Sequence, residues 1–230
     1  MNLFERGDMT ASLRFTTDEI KKEIDKLTNE LICSTDLDDL EEYYVAKYQI
    51  EEIDLLEDSI TKELSEIKIK SCNHFYCGGY RDFEPKYYMI DGYRVTFTIP
   101  FDGDKNLLDL RPSSFYMQSF PVDRVVAPTE NDFGKIIYSL EFSKKELQDK
   151  ENSNDFVQKK FDKEMKTYFS TIDTINQEVK KYNATLPKTI KQYLNQRLQK
   201  ANDYLQMRER LELPLKLKEN APNTTPILLK

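Results

Sequence analysis

The sequence predicts an α+β fold in which a small antiparallel sheet is flanked by an N-terminal and a C-terminal αα-hairpin. Apolar residues recur at helical spacing near both ends of the chain, and residues alternate with period two between about residues 71 and 142. Helices and strands are therefore segregated along the chain, which is typical of α+β folds and not of βαβ winding.

The N-terminal hairpin is predicted from two apolar series. Thr16 and Glu19 have the spacing of a capping box, so the first helix is expected to begin there. The second helix is expected from Leu37 to Ile67, after a turn at residues 34–36. A step of five residues from Tyr48 to Ile53 breaks its phase and predicts a kink.

The sheet is predicted to begin with a β-hairpin. Asp91-Gly92 is a favoured two-residue turn, so strands are expected at Lys86–Ile90 and Tyr93–Phe101. Pro100 lacks an amide donor and is expected to end the second ladder. Three further strands are expected at Ser113–Phe120, Arg124–Ala127 (an edge strand) and Lys135–Phe142.

The C-terminal hairpin is predicted from two long apolar series on either side of residue 187. Asn183–Leu186 is expected to turn the chain, and Pro187 is expected to be the first residue of the last helix. From Leu213 the periodicity fails and prolines appear, which indicates a linker. The predicted organisation is an acidic helical hairpin (1–70), a β region (71–143), a basic helical hairpin (144–212) packed on the sheet, and a linker or tail (213–230).

The chain has a net charge of -7, and this charge is unevenly distributed. Residues 1–66 contain 7 Lys and Arg against 19 Asp and Glu, whereas residues 144–230 contain 18 against 12. An acidic head and a basic tail would attract each other within one chain or between copies. The alternative is that both are solvated helix faces.

The sequence predicts a cytoplasmic protein that does not bind membranes. No run of about 18 apolar residues is present, and the N-terminus has no apolar signal core. Three cysteines in such a chain indicate reduced thiols.

Several common active sites are excluded by composition. The single histidine, His74, rules out HExxH metal sites, and the six glycines cannot form a GxGxxG or Walker A loop. No cofactor and no catalytic residue are predicted.

A weak metal-site candidate remains in the sequence C-x-H-x2-C. Cys72, His74 and Cys77 could supply three ligands of a zinc tetrahedron. The alternative is that the cysteines are ordinary thiols, because Phe75 and Tyr76 between them are typical of a strand core.

Carboxylates offer a second candidate, a metal-dependent hydrolase. Asp102, Asp104 and Arg111 could form a functional loop, with Glu66 or Glu84 contributing from an E-x-K triplet. Glu66 is expected at the end of a helix, which disfavours a nuclease site. Asp102 and Asp104 are equally explained as turn residues.

Basic residues in the predicted last hairpin offer a third candidate, contact with nucleic acid or with a protein partner. They are Lys180, Lys181, Lys188, Lys191, Arg197 and Lys200.

Three segments of the chain carry a family resemblance. They are Val95–Asp104 with Arg111–Phe115, Tyr168–Leu186, and Gln196–Lys216 with its Leu-Pro-Leu-Lys ending. In this order they resemble the N-terminal region of bacterial multidomain proteins encoded among candidate phage-defence genes. In those proteins a linker leads to a C-terminal effector, commonly a restriction-endonuclease-like domain. The resemblance implies a sensing, autoinhibitory or assembly module, and it supplies no catalytic residue for this chain.

The functional expectation is therefore a non-catalytic regulatory or oligomerisation module that couples to an effector in the same or a separate chain. Self-association or a separate effector protein is the expected partnership. Nucleic-acid binding through the basic hairpin is the first alternative, and a metal-dependent hydrolase is the second.

Overall fold

The computed structural model describes residues 1–72, 87–114, 119–150 and 152–211. It confirms the α+β class, with a small antiparallel sheet and helices at both ends. The chain forms two compact units. The first comprises Met1–Glu19 and Lys47–Leu186, and the second comprises Ile20–Ala46 and the chain from Pro187 onward.

The described strands are β1 (Gly7–Asp8), β2 (Asp54–Leu55), β3 (Thr61–Cys72), β4 (Tyr87–Asp102), β5 (Leu110–Arg111), β6 (Arg124–Val126) and β7 (Gly134–Ser143). The described α-helices are α1 (Met9–Asp25), α2 (Asn29–Ser34), α3 (Leu37–Tyr48), α4 (Lys144–Gln148) and α5 (Ser153–Arg210). Two short 3-10 helices cover Glu57–Ser59 and Lys105–Asp109. No helix in these described segments is long and apolar enough to cross a membrane.

The 16-residue strand β4 is the centre of the main sheet. It pairs with β7 on one side, and β6 adds to the far side of β7. Strand β3 pairs with the other side of β4. The short strand β2 pairs with the same side, at Phe101–Asp102 near the end of β4. All these pairs are antiparallel, whereas β1 and β5 form a separate parallel pair.

One face of β4 and β7 forms the core of the first unit together with α5. Val95, Phe97 and Ile99 are buried on β4, and the rings of Phe97 and Phe161 stack with centroids 3.9 Å apart. The predicted alternation in the last strand is confirmed, because four residues of β7 are buried on this face: Ile136, Tyr138, Leu140 and Phe142. The predicted edge strand is also confirmed as β6.

The second unit is helical and has its own buried residues. They come from α1, α2, α3 and the second half of α5: Ile20, Ile24, Ile32, Tyr44, Ile190, Leu194 and Ala201.

The first helix begins earlier than the capping-box spacing predicts. It starts at Met9, where the carboxylate of Asp8 accepts a hydrogen bond from Ala11 N–H at 2.9 Å. Thr16 lies inside the helix, and its hydroxyl bonds back to Ser12 O at 3.1 Å. A threonine can make this internal bond as well as a cap, so the spacing alone misplaced the start.

The predicted second helix is wrong beyond Tyr48. The break in phase after Tyr48 marks the end of α3, and residues 61–72 form β3. Leu64 and Ile67, which share a helical spacing, lie on opposite faces of this strand because strand side chains alternate. The predicted boundary at residue 70 therefore falls inside the sheet.

Asp91-Gly92 is not a turn, so the predicted hairpin is wrong. Both residues lie inside β4, where Gly92 is opposite Ile67 on β3 and Ser143 on β7. A Cβ on Gly92 would lie 2.3 Å from Ile69 Cδ1 and 2.8 Å from Phe142 O. Glycine is needed there for close packing and not for a positive φ.

Pro100 does not end the ladder, which continues to Phe101 opposite Gly134. The carbonyl of Pro100 accepts a hydrogen bond from Leu56 N at 3.0 Å, so its backbone faces away from β7. The missing N–H of Pro100 therefore costs the β4–β7 ladder nothing.

The predicted C-terminal hairpin is wrong, since α5 is one helix of 58 residues with Pro187 inside it. Buried residues before and after the proline continue one apolar stripe: Val179, Tyr182, Leu186, Ile190 and Leu194. Burial of these residues stabilises helix on each side of Pro187, although proline itself disfavours a helix interior.

Two predicted elements lie wholly or partly outside the described residues. Residues 115–118 of the predicted strand Ser113–Phe120 are not described, and neither is the predicted tail, 213–230.

Candidate protein-docking edge

Strand β3 forms an open edge of the main sheet. Among the described residues its ladder partner is β4 alone, over all twelve residues from Thr61 to Cys72. An edge strand presents backbone donors and acceptors that can pair with another strand. The free side of β3 is therefore a candidate docking surface, which we call the β3 edge.

The direction of the β3 backbone groups follows from the neighbouring ladder. Pro100 O bonds to Leu56 N, so even-numbered residues of β4 direct their backbone groups towards β3. Their register partners on β3 are the odd-numbered residues, for example Ser65 opposite Arg94. Even-numbered residues of β3 therefore direct N–H and C=O towards the free edge.

The side chains of these even-numbered residues lie on the same face of the sheet as the core residues of β4. Between Thr61 and Ser71 they are Lys62, Leu64, Glu66, Lys68 and Lys70. Charged side chains on an edge strand discourage indiscriminate pairing. Leu64 is the exception, because it is apolar and 64% exposed in the middle of this charged series.

An apolar groove of about 230 Å³ adjoins Leu64 on this face. Its apolar walls are Val95 of β4, Leu147 of α4 and Val157 of α5, and polar groups line its ends. A groove beside a free strand edge can hold side chains of an added strand while the backbone supplies hydrogen bonds.

A second section of about 370 Å³ lies beside the beginning of β3. Phe97, Phe161 and Phe169 form its apolar lining, whereas Glu57, Asp58 and Asp162 make it acidic. Lys62 lines both sections, and its ammonium group donates a hydrogen bond to Asn154 Oδ1 at the beginning of α5. Lys62 thus tethers the edge strand to the helix across the groove.

The predicted functional loop is explained by its backbone bonds. Asp102 Oδ1 accepts from Gly103 N at 2.8 Å, and Asp104 Oδ1 accepts from Asn106 N at 2.9 Å. Gly103 has a φ of 94°, a conformation that favours glycine. Arg111 lies in β5 opposite Asp8.

Glu66 lies far from these two aspartates. It is opposite Tyr93, and the nine residue steps from Tyr93 to Asp102 along β4 span roughly 30 Å. The structure therefore does not bring together the carboxylates of the predicted hydrolase site. Glu84, its proposed alternative, lies outside the described residues.

Glu66 occupies a strand and not a helix end, contrary to the sequence prediction. Lys68, on the same face, forms an ion pair with Asp91, and this hydrogen bond lowers the pKa of Asp91 below its ordinary value. Glu66 forms an ion pair with Lys144, with Nζ and Oε1 3.8 Å apart. Across the described segments no three His, Cys, Asp or Glu residues could together hold a metal ion.

The C-x-H-x2-C candidate lies at the end of β3. Cys72 is the last residue of the strand, opposite Tyr87, while His74 and Cys77 lie outside the described residues. The metal-binding hypothesis therefore stays a prediction.

Basic residues of α5 pair with acidic residues of the same unit. In the second unit Lys191 Nζ lies 3.2 Å from Asp38 and 3.3 Å from Glu41, and Lys200 Nζ lies 3.3 Å from Asp25. The hydrogen bond to Asp38 is the main cause of a raised pKa of Lys191.

Two further members of this basic set also have partners. In the second unit the guanidinium of Arg197 donates to Leu27 O at 3.1 Å and to Asn29 Oδ1 at 2.7 Å. In the first unit Lys180 pairs with Glu52 at 3.1 Å. Lys181 and Lys188 are exposed on the same helix. The attraction between acidic head and basic tail thus operates within the chain at three of the six predicted contact residues, Lys180, Lys191 and Lys200, whereas Arg197 bonds to neutral acceptors.

Sequence reasoning missed the β3 edge because it assigned Leu64 to a helix. The available signal was the run from Thr61 to Ser71, which contains isoleucine, serine and threonine between alternating charges. Such a mixture is typical of an edge strand.

Comparisons with protein-family models, with curated proteins and with solved structures find no match to this chain.

Proposed function

We propose that this chain is a non-catalytic protein-docking module that takes an extended segment of a partner into the β3 edge by strand addition. Even-numbered residues of β3 supply backbone hydrogen bonds, and the groove lined by Val95, Leu147 and Val157 receives side chains of the added strand. The single observation that carries this proposal is the exposure of Leu64 beside that groove, on a strand whose ladder partner among the described residues is β4 on one side only.

The module would serve to assemble or regulate an effector in the same or a separate chain. The sequence resemblance to the N-terminal regions of defence proteins favours this role. A docking edge supports it independently, because strand addition makes the bound segment continuous with a rigid sheet.

Site-specific photo-cross-linking tests the proposal. A photoreactive phenylalanine analogue replaces Leu64 in the full chain expressed in its native host, with replacement of the exposed loop residue Glu130 as the matched control. We expect a discrete protein adduct from position 64 that position 130 does not give. Equal adduct patterns from both positions would reject the docking function.

Nucleic-acid binding remains the alternative, and it has less support. Four of the six basic residues already contact acidic side chains or polar acceptors of their own unit. Electrostatic binding to a phosphate backbone weakens steeply with salt. Binding of labelled duplex or single-stranded DNA that persists at low salt, is lost at moderate salt and requires Lys181 and Lys188 would favour it.

A further inference from the structure

We propose that the segment taken up by the β3 edge is the same strand of a second copy, in an antiparallel register centred on Leu64. This inference rests on the proposed docking function and names its partner. Two copies would then form one continuous sheet across a twofold axis, with α5 of each copy on the same face.

Backbone geometry restricts the possible registers. The free N–H and C=O groups belong to even-numbered residues of β3, so an added antiparallel copy must place even-numbered residues opposite even-numbered residues. The twofold axis must therefore pass through one residue of β3 and relate each residue to one equally distant on the other side.

Charge complementarity selects among these registers. In the register centred on Leu64, Lys62 of each copy lies opposite Glu66 of the other, which gives two opposite-charge pairs. Leu64 of one copy lies opposite Leu64 of the other. Centred on Glu66, the register would place like charges opposite each other, Glu66 on Glu66 and Lys62 on Lys70. Centred on Ser65, it would place Lys62 opposite Lys68 and Leu64 opposite Glu66.

The register centred on Ile67 is the strongest competitor. It pairs Glu66 with Lys68 of the second copy, so charge alone does not separate it from the register centred on Leu64. However, it leaves the exposed Leu64 opposite the charged Lys70. Only the register centred on Leu64 combines two opposite-charge pairs with burial of the exposed leucine.

Apolar burial supports the same arrangement. Leu64 lies beside Val95, Leu147 and Val157, so the two leucines at the axis would be covered by the grooves of both copies. Removal of the exposed leucine from water at a strand pair favours association.

Sedimentation equilibrium of the full chain tests the proposal through a charge swap. Lys62→Glu and Glu66→Lys each create like-charge pairs across the axis, and each is expected to weaken dimerisation about tenfold. The double variant Lys62→Glu with Glu66→Lys restores opposite charges and should recover the wild-type dissociation constant. Rescue by Glu66→Lys with Lys68→Glu instead would overturn the register.

Disulfide trapping provides a readout that does not depend on charge. The background is a variant with Cys33, Cys72 and Cys77 changed to serine. In this background Leu64→Cys places a cysteine of each copy on the twofold axis. Opposite Cα atoms of a hydrogen-bonded pair are about 5.5 Å apart, so a disulfide can form there. Ser65→Cys is the matched control, because its side chain points to the other face and its equivalent is about two residues away along the strand. We expect oxidation to cross-link the first variant and not the second.

The failure of this inference is distinguishable from failure of the docking function. A wild-type chain that stays monomeric up to about 100 μM would exclude a useful self-association and overturn the inference. If Leu64 then cross-links to a different protein in cells, the docking function stands with another partner. If Leu64 cross-links to no protein, both the docking function and the self-association are rejected.

Discussion

Asn176 and Ile53 are joined by two hydrogen bonds that imitate a strand pair. Asn176 Oδ1 accepts from Ile53 N at 3.0 Å, and Asn176 Nδ2 donates to Ile53 O at 2.7 Å. Seven residues further along α5, Asn183 makes the same two bonds to the backbone of Ile50, at 3.1 and 2.8 Å. The helix thereby fixes the segment that leads from α3 to the sheet.

Removing one of these amides should destabilise the first unit. Asn176→Ala leaves the N–H and C=O of Ile53 without their partners, and we expect the free energy of unfolding to fall by about 1–3 kcal/mol. Asn195→Ala, on an exposed position of the same helix, is the control and should change it by less than about 0.5 kcal/mol. Chemical denaturation measures both. Equal effects of the two changes would show that the hydrogen bonds of Asn176 to Ile53 contribute nothing to stability.

The strand assignment of Gly92 is tested by adding a side chain. Gly92→Ala forces its Cβ against Ile69 and Phe142 O, so we expect a loss of about 1–3 kcal/mol in the free energy of unfolding. Gly92→Asn should be at least as damaging in a strand, whereas a two-residue turn at Asp91-Gly92 would accept asparagine. A thermal melt of Gly92→Asn that matches the wild type would contradict the strand.

The continuity of α5 is tested at Pro187. Proline in a helix interior costs up to about 3 kcal/mol relative to alanine, so Pro187→Ala should raise stability and helical circular dichroism. If residues 183–186 instead formed a turn, the proline would favour the first turn of a new helix and its removal would bring no gain. Unchanged or lowered stability of Pro187→Ala would therefore argue against one helix.

Buried tyrosines predict loss of stability at alkaline pH. Burial raises the pKa of Tyr168 to about 12 and that of Tyr182 to about 12. Because the folded state favours the neutral phenols, this contribution is complete below the ordinary pKa of 10.0 and is lost as the pH rises towards 12.

Tyr168→Phe separates this titration from the rest of the chain. The change removes the hydrogen bond from the hydroxyl to Pro121 O, 2.8 Å long, and should cost about 1 kcal/mol at neutral pH. The free energy of unfolding should fall less steeply between pH 10 and 12 than in the wild type. Chemical denaturation measures this free energy, and absorbance at 295 nm follows the ionisation of the tyrosines. Tyr204→Phe, at an exposed position, should leave the curve unchanged. If the free energy of unfolding falls equally steeply at alkaline pH in the wild type and in Tyr168→Phe, the raised pKa of Tyr168 is contradicted.

Much of the fold could be predicted where local pattern and burial agree. The alternation from Ile136 to Phe142 is local, and the strand it predicts is buried on one face. The strand β3 lacks such a signal, because an edge strand can carry charges on both faces and its pairing with β4 depends on residues distant in sequence. At Pro187 the turn was predicted from the local preference of proline for the first turn of a helix. The apolar residues that continue at helical spacing on both sides of Pro187 indicated one helix instead.

The candidate site was harder to predict than the fold. Asp102 and Asp104 have the carboxylates that a hydrolase site needs, but their hydrogen bonds to Gly103 N and Asn106 N are those of turn and cap residues. Leucine is a common residue that marks no function in a sequence. The importance of Leu64 comes only from its tertiary position, because its exposed apolar side chain lies beside a groove at the free edge of β3 among the described residues. Sequence pattern does not contain that information when the partner strand of β3 is unknown.

Hydrogen exchange along β3 is the most direct test of the central claim, that its edge is open and accepts a strand. In the dilute full chain, amides of Glu63 and Ser65 face β4 and should exchange slowly, whereas amides of Leu64 and Glu66 should exchange quickly. At concentrations where the chain associates, Leu64 and Glu66 should become protected and the other two should not change. Amides of Leu64 and Glu66 that are already protected in the dilute chain, or stay unprotected once it associates, would contradict the account.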